Sequence, residues 1–476
     1  MIYPTSLLGF VTLCAMSSLQ SPQGAPQGPQ NSLEGTQDTP FLSGSVEVDG
    51  VEYPYRLMPP ADLEKGKEYP LVLFFHGSGE RGSDNEAQLV HFPERMATAE
   101  YRAKFPCYVL APQCPEGTRW YDFDQEKLNP PMQAAVLAMQ ALLESAPVDR
   151  DRLYVTGLSM GGGGLFDLVG SHANWFAAAA PICGRNDPKV AARFTGLPLS
   201  IWHGDQDEVI KPSYSREMTA KLNDLGAEVE YHELQGVGHG SWEKAYDPDG
   251  VLPWLFSKRR DVEHTVSVAA GGFATTMAAD ERVAFLGDSI TQAGNKPGGY
   301  VDRLREALKV SRPGAAVIPA GISGHRVPNL LRRYRADVID KGASKVFLYI
   351  GINDVWHSEN GRGTPIEEFE AGLRTLVRDF KESGADVVLA TPTVIGEKRN
   401  GENTLDEMLD RFAAVSRTVA SEEGAVLCDL RLAFETYLGV FNPKNVDRGI
   451  LTTDGVHLTA LGNQLVALEA ARALAQ

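Results

Sequence analysis

Two serines in this chain of 476 residues stand where a hydroxyl can become a nucleophile. Ser159 lies inside Gly157-Leu158-Ser159-Met160-Gly161, and Ser289 lies inside Gly287-Asp288-Ser289-Ile290. A serine attacks a carbonyl only when a base removes its proton, and the oxyanion that forms needs hydrogen-bond donors. Each serine has such company along the chain.

After Ser159 come His203-Gly204-Asp205-Gln206-Asp207 and Gly238-His239-Gly240. The order serine, carboxylate, histidine suits a relay in which the acid fixes the imidazole tautomer and the imidazole takes the serine proton. Asp207 is assigned as the acid and His239 as the base, with Asp205 left to cap the turn. Gly157 and Gly161 permit a tight strand-to-helix turn that exposes the hydroxyl. Upstream, His76-Gly77-Ser78-Gly79-Glu80-Arg81-Gly82 follows an apolar run. The backbone N–H groups of Ser78 and Met160 are the candidate oxyanion donors. In a chain with 47 glycines a lone G-x-S-x-G carries little weight, and the ordered partners give this one meaning. The glycine-rich run could suggest phosphate binding, but no G-x-G-x-x-G opens a βαβ unit here. His76 and His203 read as strand-end packing rather than metal ligands.

Ser289 is served differently. Asp454 and His457 lie three residues apart, so one local segment supplies both acid and base. Asn353 follows an apolar run and offers its side-chain amide. Gly324 offers a backbone N–H with no Cβ in the way, and Ser289 N–H completes three oxyanion donors. Reading Asp288 and Ser289 merely as helix caps leaves the other blocks unexplained.

These side chains need rigid elements to hold them. Strand patterns fall at 71–75, 108–111, 153–156, 199–202 and 229–234, with helices at 131–143 and 213–225. A second series of strands falls at 283–286, 316–319, 346–350, 387–390 and 426–428. Its helices fall at 299–308, 329–339, 366–381, 405–422 and 464–474. Alternating strands and helices predict parallel sheets covered on both faces. Sites in such sheets gather at the carboxyl ends of the strands, where both serines sit. The predicted organisation is an α/β domain at 41–258, a linker at 259–280 and a second α/β domain at 281–476. Residues 20–40, rich in Gln, Pro, Gly and Ser, read as a flexible tether. Residues 1–19 are uncharged and apolar, with Ser17-Ser18 near their end. They read as an export signal, with an uncleaved anchor as the second reading, which predicts a secreted or periplasmic protein.

The net charge of −17 argues against nucleic acid or an anionic membrane surface as partner. Cys107, Cys114, Cys183 and Cys428 read as buried free thiols. Neither site calls for a metal or an organic cofactor. Oligomeric state leaves no sign in the sequence.

The segments HGSGERG, GLSMGG, HGDQDEV and GHGSW resemble serine esterases of the α/β-hydrolase superfamily over residues 51–256. The nearest groups are the phospholipase/carboxylesterase, feruloyl-esterase-like and polyhydroxybutyrate-depolymerase-like enzymes. The blocks around Ser289, Gly324, Asn353, Asp454 and His457 resemble the SGNH (GDSL-type) hydrolase family over 281–476. Pro319 departs from it, where many members have Asn. The resemblances imply an α/β-hydrolase fold followed by a flavodoxin-like three-layer α/β/α sandwich. They imply Ser159, Asp207 and His239 as one triad and Ser289, Asp454 and His457 as the other. The implied function is a secreted bifunctional serine esterase acting on acetyl or other acyl groups of polysaccharides. Two alternatives stay open: a lipid or lysophospholipid esterase, and one catalytic domain joined to a ligand-binding one. Trp120, Tyr121, Trp242 and Trp356 are candidate stacking surfaces for a sugar, with packing as the competing reading.

Overall fold

The computed structural model describes residues 34–35, 39–122 and 128–476. The export segment and most of the tether read from the sequence lie outside the described residues. Among the described residues, no helix is long and apolar enough to cross a membrane.

The first half is a nine-stranded sheet. Its strands are β1 (Glu34–Gly35), β2 (Leu42–Val48), β3 (Val51–Met58), β4 (Tyr69–Phe75) and β5 (Tyr108–Pro112). They continue with β6 (Val148–Leu158), β7 (Ala178–Ile182), β8 (Leu199–Gly204) and β9 (Val229–Leu234). The spatial order is β1-β2-β3-β5-β4-β6-β7-β8-β9. Strands β1, β2, β3 and β5 pair antiparallel, and the rest of the sheet is parallel. Period-two geometry divides the central strands between two cores. Leu71, Leu73 and Phe75 face the helices Pro130–Ser145 and Met160–His172. Val72 and Phe74 face Phe92–Met96 and Val251–Ser257. A strand buried on both faces must be apolar at every position, which is why 71–75 reads as an unbroken run.

The second half has five parallel strands. They are β10 (Arg282–Gly287), β11 (Ala316–Gly321), β12 (Lys345–Tyr349), β13 (Asp386–Ala390) and β14 (Val426–Cys428). Their order is β11-β10-β12-β13-β14. The chain therefore reverses direction across the sheet at β10, leaving a crevice at the carboxyl ends of β10, β11 and β12.

The predicted linker at 259–280 is for the most part a helix, Val262–Thr276. Asp261 caps it by accepting from His264 N–H at 3.0 Å. Val266, Ala269, Ala270, Phe273 and Ala274 form its buried face in the second core. Its small residues read as a junction, yet smallness is what lets it pack closely. A Cβ on Gly272 would lie 2.3 Å from Leu225 O of the first half. A second helix missed in the sequence, Leu430–Phe441, also meets the first half, where Trp175 Nε1–H donates to Thr436 O at 2.8 Å. Arg472 crosses the same interface and donates to Asn174 Oδ1 at 3.0 Å and to Thr195 O at 3.1 Å.

Candidate active sites

Ser159 sits between β6 and the helix Met160–His172, with φ 53° and ψ −115°. A non-glycine residue at positive φ is strained, and the surrounding packing holds it there. A Cβ on Gly161 would fall 2.0 Å from Phe75 O, and one on Gly157 would fall 2.6 Å from Gly161 O. Only glycine lets the helix start this close to β4.

Ser159 Oγ lies 2.9 Å from His239 Nε2, and His239 Nδ1 lies 2.7 Å from Asp207 Oδ2. The loops after β6, β8 and β9 thus deliver one residue each. The Asp207 side chain is fully buried, and its Oδ1 accepts from Val209 N–H at 2.8 Å and Ile210 N–H at 2.9 Å. Burial pushes the Asp207 carboxyl up, but the hydrogen bonds from His239, Ile210 and Val209 outweigh it and hold the group below its ordinary value. Asp205 instead accepts from Gly236 N–H at 2.7 Å and braces the turn before His239. The helix read from the sequence at 213–225 starts at Ser213, so the Val209 and Ile210 N–H groups ahead of it remain available to the carboxylate.

His203 has a larger part than strand-end packing. Its Nε2 lies 3.2 Å from Asp207 Oδ2 and 2.9 Å from Ile210 O, while Nδ1 lies 2.8 Å from Ser215 Oγ. Burial keeps its imidazole below its ordinary pKa, so it serves Asp207 as a neutral donor. The i, i+4 spacing of His203 and Asp207 was the signal available for this contact.

Met160 N–H opens its helix, where no carbonyl lies one turn back to accept it. The Ser78 loop runs alongside: a Cβ on Gly77 would lie 3.7 Å from Ser159 Cβ. Of the aromatic candidates, Trp120 is fully buried and packs on Phe75, so it offers no surface to a sugar. Trp242 stands edge-on to His239, 5.3 Å between ring centroids. Cys183, Asp207 and His239 are the group among the described residues whose ligand atoms are close enough to hold a metal. Asp207 and His239 are bonded to each other, and burial pushes the Cys183 thiol up to about 12. The four described cysteines are free and buried.

At the second site, Ser289 begins the helix Ser289–Gly294 directly after β10. Its Oγ lies 3.0 Å from His457 Nε2, and His457 Nδ1 lies 2.8 Å from Asp454 Oδ2. Asp454 Oδ1 also accepts from His457 N–H at 2.8 Å and Val456 N–H at 3.0 Å. Burial raises this carboxyl, and the His457 and Val456 hydrogen bonds outweigh it, leaving it below its ordinary value. This pair is open to solvent, with Asp454 47% and His457 38% exposed. That contrasts with the buried Asp207.

Asn353, in the short helix after β12, is buried. Its Nδ2 donates to His325 O at 3.1 Å and to Asp288 Oδ2 at 3.4 Å. Asp288 caps the Ser289 helix through Ile290 N–H at 2.9 Å, while the neighbouring Ser289 hydroxyl faces His457. Burial, reinforced by Asp354, pushes the Asp288 carboxyl up to about 7. Gly324 follows β11 with φ 75° and has open space where a side chain would sit. Trp356 lies edge-on to His457, 6.3 Å between ring centroids. It borders an open cleft of about 310 Å³ that also touches Asp454, Lys398 and Glu402.

The two halves match different families. The GDSL-like lipase/acylhydrolase family matches residues 285–465, and the dienelactone hydrolase family matches residues 118–251. An acetylxylan esterase from Geobacillus stearothermophilus is 30% identical over 205 residues, covering 39% of this chain and 90% of that protein. An isoamyl acetate-hydrolyzing esterase from Schizosaccharomyces pombe is 26% identical over 191 residues, covering 39% of this chain and 71% of that protein. Among solved structures, a thermostable esterase is 36% identical with a TM-score of 0.44, and this chain spans 64% of it with 46% of its own length. The acetyl xylan esterase AlAXEase is 38% identical with a TM-score of 0.39, covering 40% of this chain and 97% of that one. The chain belongs to the GDSL-like lipase/acylhydrolase family through its second half, carries an α/β-hydrolase domain of the dienelactone hydrolase family ahead of it, and is a carboxylic ester hydrolase.

Proposed function

We propose that both serines work, each in its own Ser-His-Asp site, and that the protein strips two kinds of acyl group from one acylated polysaccharide outside the cytoplasm. The observation that carries the two-site reading is the pair of complete relays. Each has a serine–imidazole contact of about 3 Å and an imidazole–carboxylate contact shorter than that.

In each site the imidazole Nε2 takes the serine proton as Oγ adds to the ester carbonyl. The carboxylate on Nδ1 holds the tautomer and stabilises the imidazolium. At the first site the oxyanion is received by the N–H groups of Met160 and Ser78. At the second it is received by Ser289 N–H, Gly324 N–H and the Asn353 amide, which gives up its longer bond to Asp288. The imidazolium then protonates the leaving alcohol, and an acyl-serine remains. Water, deprotonated by the same imidazole, attacks the acyl carbon, and serine leaves with its proton restored.

The likeness to an acetylxylan esterase supports acetyl groups on a sugar as a substrate, which we assign to the GDSL-like second site. The first-half motifs support a larger acyl group such as ferulate. The test is release of acetate from acetylated xylan and of ferulate from a feruloylated oligosaccharide. Wild type, Ser159→Ala and Ser289→Ala are compared. Ser289→Ala should lose acetate release alone, and Ser159→Ala ferulate release alone. Turnover of a nitrophenyl ester with neither product released would refute the polysaccharide reading.

A further inference from the structure

Glu397 belongs to neither triad, yet its fully buried carboxylate holds the segment that carries one of them. Asp454 and His457 sit in the turn of a narrow hairpin. Thr452 pairs antiparallel with Leu458, Thr459 N–H donates to Leu451 O at 2.9 Å, and Thr453 N–H donates to His457 O at 2.7 Å. Internal bonds make the acid and base one unit. They do not fix that unit relative to Ser289, which stands on a different strand end. Their own burial adds little, because both side chains are more than a third exposed, and the buried apolar residues of the hairpin are Val456 between them and Leu451 at its base.

The base of the hairpin converges on Glu397. Oε2 accepts from Ile450 N–H at 2.9 Å. Oε1 accepts from Leu451 N–H at 2.8 Å, from Thr452 Oγ1–H at 2.6 Å and from Thr452 N–H. The neighbouring Gly396 N–H donates to Gly455 O, inside the turn itself, at 2.8 Å. Glu397 is anchored in turn: its N–H donates to Asp447 O at 2.9 Å, and its carbonyl accepts from Asn442 Nδ2 at 2.8 Å. It follows β13, so these bonds tie the hairpin to the sheet that carries Ser289. A buried carboxylate is costly unless its lone pairs are met, and here four donors from three consecutive residues meet them.

We infer that Glu397 is a positioning residue for the second site, setting His457 Nε2 against Ser289 Oγ by clamping residues 450–452. This rests on the reading of Ser289, Asp454 and His457 as a working esterase site. Misplacing a reacting group by about 1 Å costs on the order of 100-fold in rate.

The test uses the full chain carrying Ser159→Ala, so that only the second site is read. Steady-state turnover of 4-nitrophenyl acetate and the labelling rate of Ser289 by a fluorophosphonate are measured. Glu397→Ala should lower kcat about 100-fold. KM should stay nearly constant, and labelling should slow in parallel. Glu397→Gln keeps an oxygen for Leu451 and Thr452 but turns an amide donor toward Ile450 N–H, so its kcat should fall between the two. A Glu397→Ala protein that unfolds at lower temperature but turns over at the parent rate while folded would overturn the inference. So would a rise in KM alone. Should Glu397→Ala not fold, Glu397→Gln decides: parental kcat overturns, and an intermediate kcat at constant KM supports. A parent inert in both assays refutes the two-site reading before Glu397 is touched, and this inference with it.

Discussion

Replacing Asp207 by asparagine should cost the first site far more than replacing Asp454 costs the second. The perturbation is chemically the same in both. Asparagine keeps one oxygen for the backbone donors but turns an NH2 toward His Nδ1. At the buried first site the ring is then held in the other tautomer and presents Nε2–H to the serine, where it cannot accept a proton; at the exposed second site water competes for both amide and imidazole, and the productive tautomer stays populated. What differs is the medium. Asp207 is fully buried, with its Oδ2 2.7 Å from His239 Nδ1. With an effective dielectric of about 20, a carboxylate at that distance stabilises an imidazolium by about 6 kcal/mol, or about four powers of ten in rate. Asp454 stands 2.8 Å from His457 Nδ1 but is half in water. With the dielectric near that of water, the attraction falls to about 1.5 kcal/mol, or about tenfold. The assay is kcat/KM for 4-nitrophenyl acetate, with Asp207→Asn in a Ser289→Ala chain and Asp454→Asn in a Ser159→Ala chain. Losses of about 10⁴ and about 10 to 100 are expected. Equal losses, or the larger loss at Asp454, would refute the link between burial and the worth of the acid.

Other outcomes follow from the same geometry. Gly161→Ala puts a methyl 2.0 Å from Phe75 O, so it should abolish first-site turnover and lower the melting temperature, while fluorophosphonate labelling of Ser289 persists. The Asp207 carboxyl is held below its ordinary value when folded. Its contribution to stability is therefore complete above the unfolded pKa of about 3.9 and is lost as pH falls through the lower folded one. Asp207→Asn should flatten that acid arm in urea midpoints measured from about pH 5 downward. Arg472→Ala removes the donor to Asn174 and Thr195 at the interface and strips Glu469 of its ion pair, leaving it the hydrogen bond from Asn174 Nδ2. It should cost about 3 kcal/mol in chemical denaturation, and an unchanged midpoint would show that the interface adds no stability.

The features legible in the sequence share one property: their physics is local or periodic. The run 71–75 is apolar at every position because both faces of β4 are covered. Gly161 stands where no side chain fits. Asp454 and His457 are close in sequence, so their contact follows from a single turn. Strand β7, Ala178–Ile182, is not legible because alanines carry little strand signal, and only its place between β6 and β8 makes it one. The helix Val262–Thr276 reads as a linker because its alanines and glycines look like a junction until the neighbour they pack against is known. His203 and Glu397 escaped for another reason. Each acts on a side chain or backbone segment that only tertiary folding brings near, and Glu397 stands 53 to 55 residues from its partners.

The central claim is that one chain holds two independent nucleophilic serines. The most direct measurement is the stoichiometry of fluorophosphonate incorporation by intact-protein mass spectrometry. Wild type should take up two equivalents, Ser159→Ala and Ser289→Ala one each, and the double variant none. A single equivalent on wild type, lost entirely in one of the single variants, would contradict the account and leave the other half without a working site.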